Sequence, residues 1–155
     1  MSIEIRKAKL TDRSAWQKLW HQYLIFYKSE DFQDELTELL WQRIHTLENP
    51  INCLIAYHAE SGEMIGFTHY FPHEDTWQKY PVCYLEDLFV LPQTRGSGVG
   101  ELLIKSVVKE AKKNGWQDVY WQTQHDNSVA RGLYNKLTGG TDGYVTYRLP
   151  TMGKL

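Results

Sequence analysis

The chain has 155 residues, a length for one compact domain and not two. Its 42% apolar and 14% aromatic fractions support a packed core and exclude disorder over most of the sequence. Lysine plus arginine number 17 against 19 acidic residues, a net charge of −2, without the basic excess of a nucleic-acid binder. Cys53 and Cys83 each sit in an apolar run, with no spacing for a disulfide framework or a zinc site, so both read as reduced core residues. The opening MSIEIRKAKL lacks an apolar signal-peptide region, and no stretch approaches the roughly 20 apolar residues of a membrane helix. A cytoplasmic protein with no nucleic-acid or membrane partner is expected.

Ile3 and Ile5 alternate with polar residues before Lys7, which predicts a first strand. Thr11 is the expected N-cap of a helix carrying Trp16, Leu19, Trp20, Tyr23, Leu24 and Tyr27 at helical spacing. The acidic run Glu30, Asp31, Asp34 and Glu35 follows, then a second amphipathic helix from Leu36 to Leu47, ended by Asn49-Pro50. Ile51 to Ala59 and Met64 to Phe71 predict a hairpin around a turn at Ser61-Gly62. Pro72 to Pro81 reads as a loop and Cys83 to Val90 as a strand. A helix over Gly100 to Lys113 presents Leu103, Ile104, Val107 and Ala111 on one stripe and is capped by Asn114-Gly115. Val119 to Thr123 is the next strand, Asn127 to Leu137 a short helix, and Tyr144 to Leu149 a last strand. This order predicts a single α/β (α+β) domain over residues 1–155, a mixed sheet flanked by helices.

Arg95-Gly96-Ser97-Gly98-Val99-Gly100 lies between a strand and a helix. Glycines admit positive φ, and the helix start adds unpaired N–H groups and a positive dipole end. The turn therefore suits an anion such as a pyrophosphate, with Arg95 as a charged partner. A P-loop would need Lys-Ser/Thr where Glu101-Leu102 stands, and a dinucleotide fingerprint has a different glycine spacing. A ligand-free βα turn is the bland alternative.

Arg95-x-x-Gly98-x-Gly100 resembles the coenzyme A signature of the GNAT superfamily of N-acetyltransferases. Asn127-x-x-Ala130-x-x-Leu133-Tyr134 looks like that superfamily's second cofactor motif, and Tyr84-Leu85-Glu86-Asp87-Leu88-Phe89-Val90 like the fourth strand of its diamine acetyltransferases. The order of elements fits from Ile3 to Leu149, closest to the histone and polyamine subgroup. The usual Tyr-x-x-x-Gly-Phe ending is absent, so the C-terminal hairpin is expected to be shortened or paired with another subunit.

The resemblance implies a largely antiparallel GNAT sheet with a bulged fourth strand that splays from the fifth. It also implies acetyl-CoA as co-substrate; no metal is expected, because His69 and His73 flank Pro72 with no third ligand close in the sequence. The pyrophosphate would sit on Arg95, Gly96, Ser97, Gly98, Val99 and Gly100, and the pantetheine arm on Leu88, Phe89 and Val90, with Asn127 and Ala130 contributing. Tyr134 would protonate the leaving thiolate, a phenol being protonated at neutral pH; a core tyrosine is the structural alternative. Asn127 equally suits a helix cap.

Glu86 and Asp87 stand together inside an apolar strand. Successive strand residues face opposite sides, and an unpaired buried carboxylate is costly, so at least one should line a wet cleft or meet a cation. Either suits the base or anchor for an amine; a salt bridge to an arginine is the alternative. The resemblance implies that the region of Tyr23 and Tyr27 shapes the acceptor site, with Glu86 as a further contact; aromatic faces and carboxylates suit a cationic amine. The acidic run reads better as a solvated loop. The expected function is acetyl transfer to a primary amine, polyamine-like or a lysine side chain, by direct attack in a ternary complex. A coenzyme A-binding sensor without turnover and a small nucleotide-binding kinase are the competing readings. A homodimer or higher homo-oligomer is expected from the short C-terminus and the tryptophans.

Overall fold

The computed structural model describes residues 2–29, 31–32 and 34–152, so Glu30 of the predicted acidic run lies outside the described residues. The chain forms two compact units, Met1–Gln122 and Thr123–Leu155.

The first unit is built on five strands in sequence order: β1 (Ile3–Lys7), β2 (Asn52–His58), β3 (Met64–His73), β4 (Val82–Val90) and β5 (Val119–Tyr120). The pairings are antiparallel except β4 with β5, which is parallel. A parallel neighbour needs a long crossover, here through α3 (Val99–Asn114). The expected mixed, largely antiparallel sheet is the one observed.

Alternation along β3 sorts the two faces of the sheet. Gly66 faces α3, where an added Cβ would lie 3.4 Å from Leu103 Cδ1 and only 2.8 Å from Phe89 O. Phe67 and His69 face the other way, toward α1 (Arg13–Phe26), with Trp20 ring centroids 6.1 and 5.4 Å from theirs. Trp16, Leu19 and Trp20 recur at i, i+3 and i+4, so one stripe of α1 is buried. Trp16 is fully buried and packs 4.8 Å from Trp41 of α2 (Asp34–Ile44). Trp20 Nε1 donates to Thr37 Oγ1 at 3.2 Å, which ties α1 to α2. On the opposite face α3 buries Val99, Leu103, Ile104, Val107 and Ala111. Each fully buried Leu or Ile there contributes about 1.5–3 kcal/mol of transfer free energy.

Several boundaries differ from expectation. Thr11 is not the cap of α1. A 3₁₀ turn at Leu10–Asp12 precedes the helix, and the Asp12 carboxylate accepts from Lys9 N at 2.7 Å and from both Arg6 guanidinium nitrogens. That clamp closes the turn and moves the helix start to Arg13. Helix α2 begins at Asp34, where acidic residues suit the positive dipole end, and stops at Ile44; beyond it the Thr46 hydroxyl folds back onto Gln42 O. β3 runs through Pro72 to His73 because its pairing with β2 ends at Tyr70, so Pro72 interrupts no ladder on that side.

In the second unit, α4 (Ser128–Thr138) is capped by Asn127, whose side chain accepts from Ala130 N at 3.3 Å. It ends at Gly139 with φ 86°, a left-handed turn that favours glycine. The expected strand over Tyr144 to Leu149 is not formed among the described residues, and Tyr144, Val145, Tyr147 and Leu149 are exposed. Alternation predicts a strand's faces, but a strand exists only with a ladder partner.

Gly66→Ala forces a Cβ against Phe89 O. It is expected to cost about 1–3 kcal/mol, as overpacked cores do. Urea unfolding checks this as a lower midpoint at unchanged slope.

Candidate acceptor and coenzyme site

The regular alternation of β4 breaks at one residue. His69 pairs with Asp87 while the next residue of β3, Tyr70, pairs with Leu85, so Glu86 is an extra residue on β4, a β-bulge. The consequence follows from parity. Directly paired residues share a face, and so do residues two apart on one strand. His69 pairs with Asp87 and Phe71 with Tyr84, so Tyr84 and Asp87 face the same way although they are three positions apart. Strict alternation is therefore broken between Leu85 and Asp87, and Asp87 turns toward α1.

There Asp87 is well partnered. His69 Nδ1 lies 2.9 Å from Oδ2, and the Tyr23 hydroxyl donates to Oδ1 at 2.7 Å. No arginine salt bridge is involved. The carboxylate side chain is 15% exposed and His69 only 1%, so both partners are needed to offset the loss of water. Burial first, and then the charge of Asp87, pushes the Tyr23 hydroxyl far above its ordinary range, so it remains a donor. Tyr27, 4.8 Å from the Tyr23 ring, is raised by the same two causes. Glu86 is exposed, yet partial burial of its carboxyl and then the charge of Asp87 raise it above the ordinary carboxylate range. The two carboxylates thus differ in surroundings: both oxygens of Asp87 are bonded by protein donors, whereas Glu86 is exposed.

β4 and β5 pair only at Cys83 with Val119 and Tyr84 with Tyr120. From Asp87 to Val90, β4 keeps β3 on one side and has no ladder on the other among the described residues. This splay leaves backbone groups at Leu88, Phe89 and Val90 able to take an extended ligand. The Phe89 side chain is buried against Phe67 and Tyr23, so its backbone alone is on offer.

β4 leads through a 3₁₀ turn at Pro92–Thr94 into the glycine-rich segment. Gly96 and Gly98 have φ of 86° and 82°, and Gly98 is the N-cap of α3. No atom lies within 4 Å of a Cβ built on either, so the left-handed backbone, not space, requires glycine. The Ser97 hydroxyl donates to Thr94 O and closes the turn. Val99 is buried, while the first-turn amides of α3 lack intrahelical acceptors, a geometry that suits an anion. Exposed Arg95 donates from Nε to Val90 O at 3.3 Å and lies 5.9 Å from the Phe26 ring.

In the second unit, Asn127 commits its carbonyl oxygen to Ala130 N, and its amide reaches Thr123 Oγ1 at 3.4 Å. Its capping role is therefore seen directly. Tyr134 is half-buried on α4. A shallow groove of about 600 Å³ between α1 and α2, lined by Arg13, Asp34, Glu35 and Glu38 among others, contains none of the predicted site residues. Arg13 and Glu38 form an ion pair there at 2.5 Å, which fits a solvated helix start.

Two further residues join this cluster beyond the expected ones: His69, and Trp16, whose Nε1 donates to His69 Nε2 at 3.0 Å. Phe67 and His69 alternate onto the same face of an apolar strand. A histidine on a buried face needs partners, and that was the available signal.

The chain matches the Acetyltransferase (GNAT) family over residues 14–139. It is 34% identical over 140 residues to a D-amino-acid N-acetyltransferase of Saccharomyces cerevisiae, covering 90% of this chain and 86% of that one. It is 28% identical to thialysine N-epsilon-acetyltransferase of Mus musculus, covering 95% and 92% of the two chains. Among solved structures, aminoglycoside acetyltransferase AAC(6')-Iy bound to a bisubstrate analogue superposes with a TM-score of 0.83 at 21% identity, over 98% and 100% of the two chains.

Gly98→Ala places a Cβ on a left-handed backbone, a strain of roughly 1–2 kcal/mol. Coenzyme A binding is expected to weaken about fivefold or more on that account. Titration calorimetry reads it, and unchanged affinity would show that this turn does not hold the anion.

Proposed function

This chain belongs to the GNAT family and is an acetyl-CoA-dependent N-acetyltransferase; we propose that it acetylates the primary amine of a polyamine-like small molecule or a lysine side chain, by direct attack in a ternary complex. The carboxylate pair at the β4 bulge carries this reading. An amine is protonated at neutral pH, so it needs a negative charge to bind and a base to lose its proton. Asp87 supplies the held charge. Glu86 supplies the base: its raised carboxyl holds a proton nearer to neutral pH than an ordinary glutamate. Tyr23 and Tyr27 add aromatic faces for the cationic acceptor. The names of the relatives also point to amino groups, on a D-amino acid, on thialysine and at the 6′ position of an aminoglycoside.

Acetyl-CoA supplies an activated acetyl thioester. Arg95, Gly96, Ser97, Gly98, Val99 and Gly100 would hold its pyrophosphate, and the open edge at Leu88, Phe89 and Val90 its pantetheine arm. Amides on that edge would stabilise negative charge on the thioester oxygen as the amine attacks. Asn127 and Ala130 assist at the start of α4, and Tyr134 donates the proton that the departing thiolate takes up. This reading treats residues 1–155 as a single domain. Direct attack is favoured because Cys53 and Cys83 are 3% and 0% exposed, and burial pushes the Cys83 thiol up to about 12, so neither suits an acyl carrier. Two buried, unbridged thiols also suit the cytoplasm. The exposed apolar side chains between Tyr144 and Leu149 support a homo-oligomer, which sedimentation velocity reads directly.

Mixing the protein with acetyl-CoA and an amine panel, and following thiol release, tests the reading. Spermidine or a lysine-type diamine is expected to give the highest kcat/KM. A D-amino acid or an aminoglycoside in first place would replace the acceptor assignment.

The pH profile separates the two proposed proton carriers. A base must be deprotonated, so kcat/KM for the acceptor rises with pH through the Glu86 titration, displaced upward from an ordinary glutamate. Glu86→Gln is expected to lower kcat/KM about a hundredfold and abolish that limb. Tyr134→Phe is expected to lower the plateau by a similar factor, leaving the limb and acetyl-CoA affinity in place. A surviving limb in Glu86→Gln would remove Glu86 as the base.

A further inference from the structure

We propose that Trp16 and His69 form a positioning pair that locks Asp87 as an oriented anion for the acceptor amine, and so leaves proton removal to Glu86. The inference rests on the acetyl-transfer reading above.

Trp16 Nε1 lies 3.0 Å from His69 Nε2. An indole nitrogen donates and cannot accept. Nε2 must therefore be the accepting nitrogen, the ring is neutral, and its proton sits on Nδ1. That proton points to Asp87 Oδ2 at 2.9 Å. Tyr23 donates to the other oxygen, Oδ1. The chain of donors runs one way: Trp16 to His69 to Asp87, with Tyr23 closing from the other side. The backbone adds a further restraint, because the Thr68 hydroxyl donates to the Asp87 carbonyl at 2.7 Å.

The arrangement is built into the core. Trp16 is fully buried and His69 is 1% exposed. The His69 ring is flanked by Trp20 at 5.4 Å and Phe67 at 4.8 Å, and a flip would put ring carbons where both nitrogens now bond. A His–Asp pair whose outer nitrogen faced water could pass a proton outward. Here the outer nitrogen already accepts from an indole, so a proton can reach it only by breaking a buried bond. Asp87 is fixed in place, and His69 gives it no relay for a proton to water. Glu86, the extra residue of the bulge, is the carboxylate left with access to solvent.

Nitrogen-15 NMR of the histidine-labelled wild type reads the tautomer without any turnover. A proton on Nδ1 of His69 is expected at neutral pH; a proton on Nε2, or an imidazolium, overturns the pair. Kinetics then ask what the pair does. His69→Asn keeps a side-chain N–H near the Nδ1 position, and His69→Leu removes it. In His69→Leu, acceptor kcat/KM is expected to fall about tenfold or more, the scale of one hydrogen bond to a charged group. His69→Asn should recover most of that loss, and KM for acetyl-CoA should stay constant in both. Trp16→Phe keeps an aromatic ring but removes the donor, and is expected to give a mixed His69 tautomer. Equal kcat/KM in the Asn and Leu variants, beside an active wild type, overturns the pair alone. A wild type that acetylates no amine overturns the reading beneath it.

Discussion

Asp87 is the constraint around which the first unit is arranged. An unpaired carboxylate beneath a helix costs several kcal/mol, so its partners must arrive with it. They come from separate elements: His69 on β3 and Tyr23 on α1, with Trp16 behind His69. These bonds fix how α1 crosses the sheet. The same helix face then continues into ordinary packing, with Trp16 and Trp20 rings parallel to within 7° and the Trp20 N–H spent on Thr37 of α2. One stripe of α1 therefore serves core and site together, and its aromatic residues cannot be sorted cleanly into one or the other.

The bulge gives this constraint its reach. Without the extra residue, Tyr84 and Asp87 would face opposite sides of the sheet. With it, the ring of Tyr84 and the carboxylate of Asp87 share a face. The strand parts from β5 beyond Tyr84, just where the bulge begins. A local break in the ladder thus re-aims a side chain and opens a backbone edge at once, both of which an acyl-transfer site uses.

Much of this was readable from residues alone. Alternation and helical spacing placed β1 to β4, α1 and α3, because burying one face dictates those periods. The left-handed turn at Gly98 was readable because glycine is the residue that accepts that backbone cheaply. The register slip at Glu86 was not, since it depends on which residue of β3 lies opposite, and pairing is a property of two segments. His69 escaped for the same reason: its partners lie 53 residues before it and 18 after it. Tyr144 to Leu149 shows the converse error, with a strand-like pattern but no ladder among the described residues.

The two cysteines have a practical consequence. Cys53 and Cys83 lie in neighbouring parts of the sheet, almost wholly shielded from solvent, and burial raises both thiols well above their ordinary range. A folded molecule therefore shows almost no thiolate to a disulfide reagent. Coenzyme A freed by catalysis would be read against a nearly silent background. The same reagent in the absence of substrate becomes an opening clock: the rate at which the protein's own sulfurs react reports how often strands β2 and β4 are exposed, with no label added.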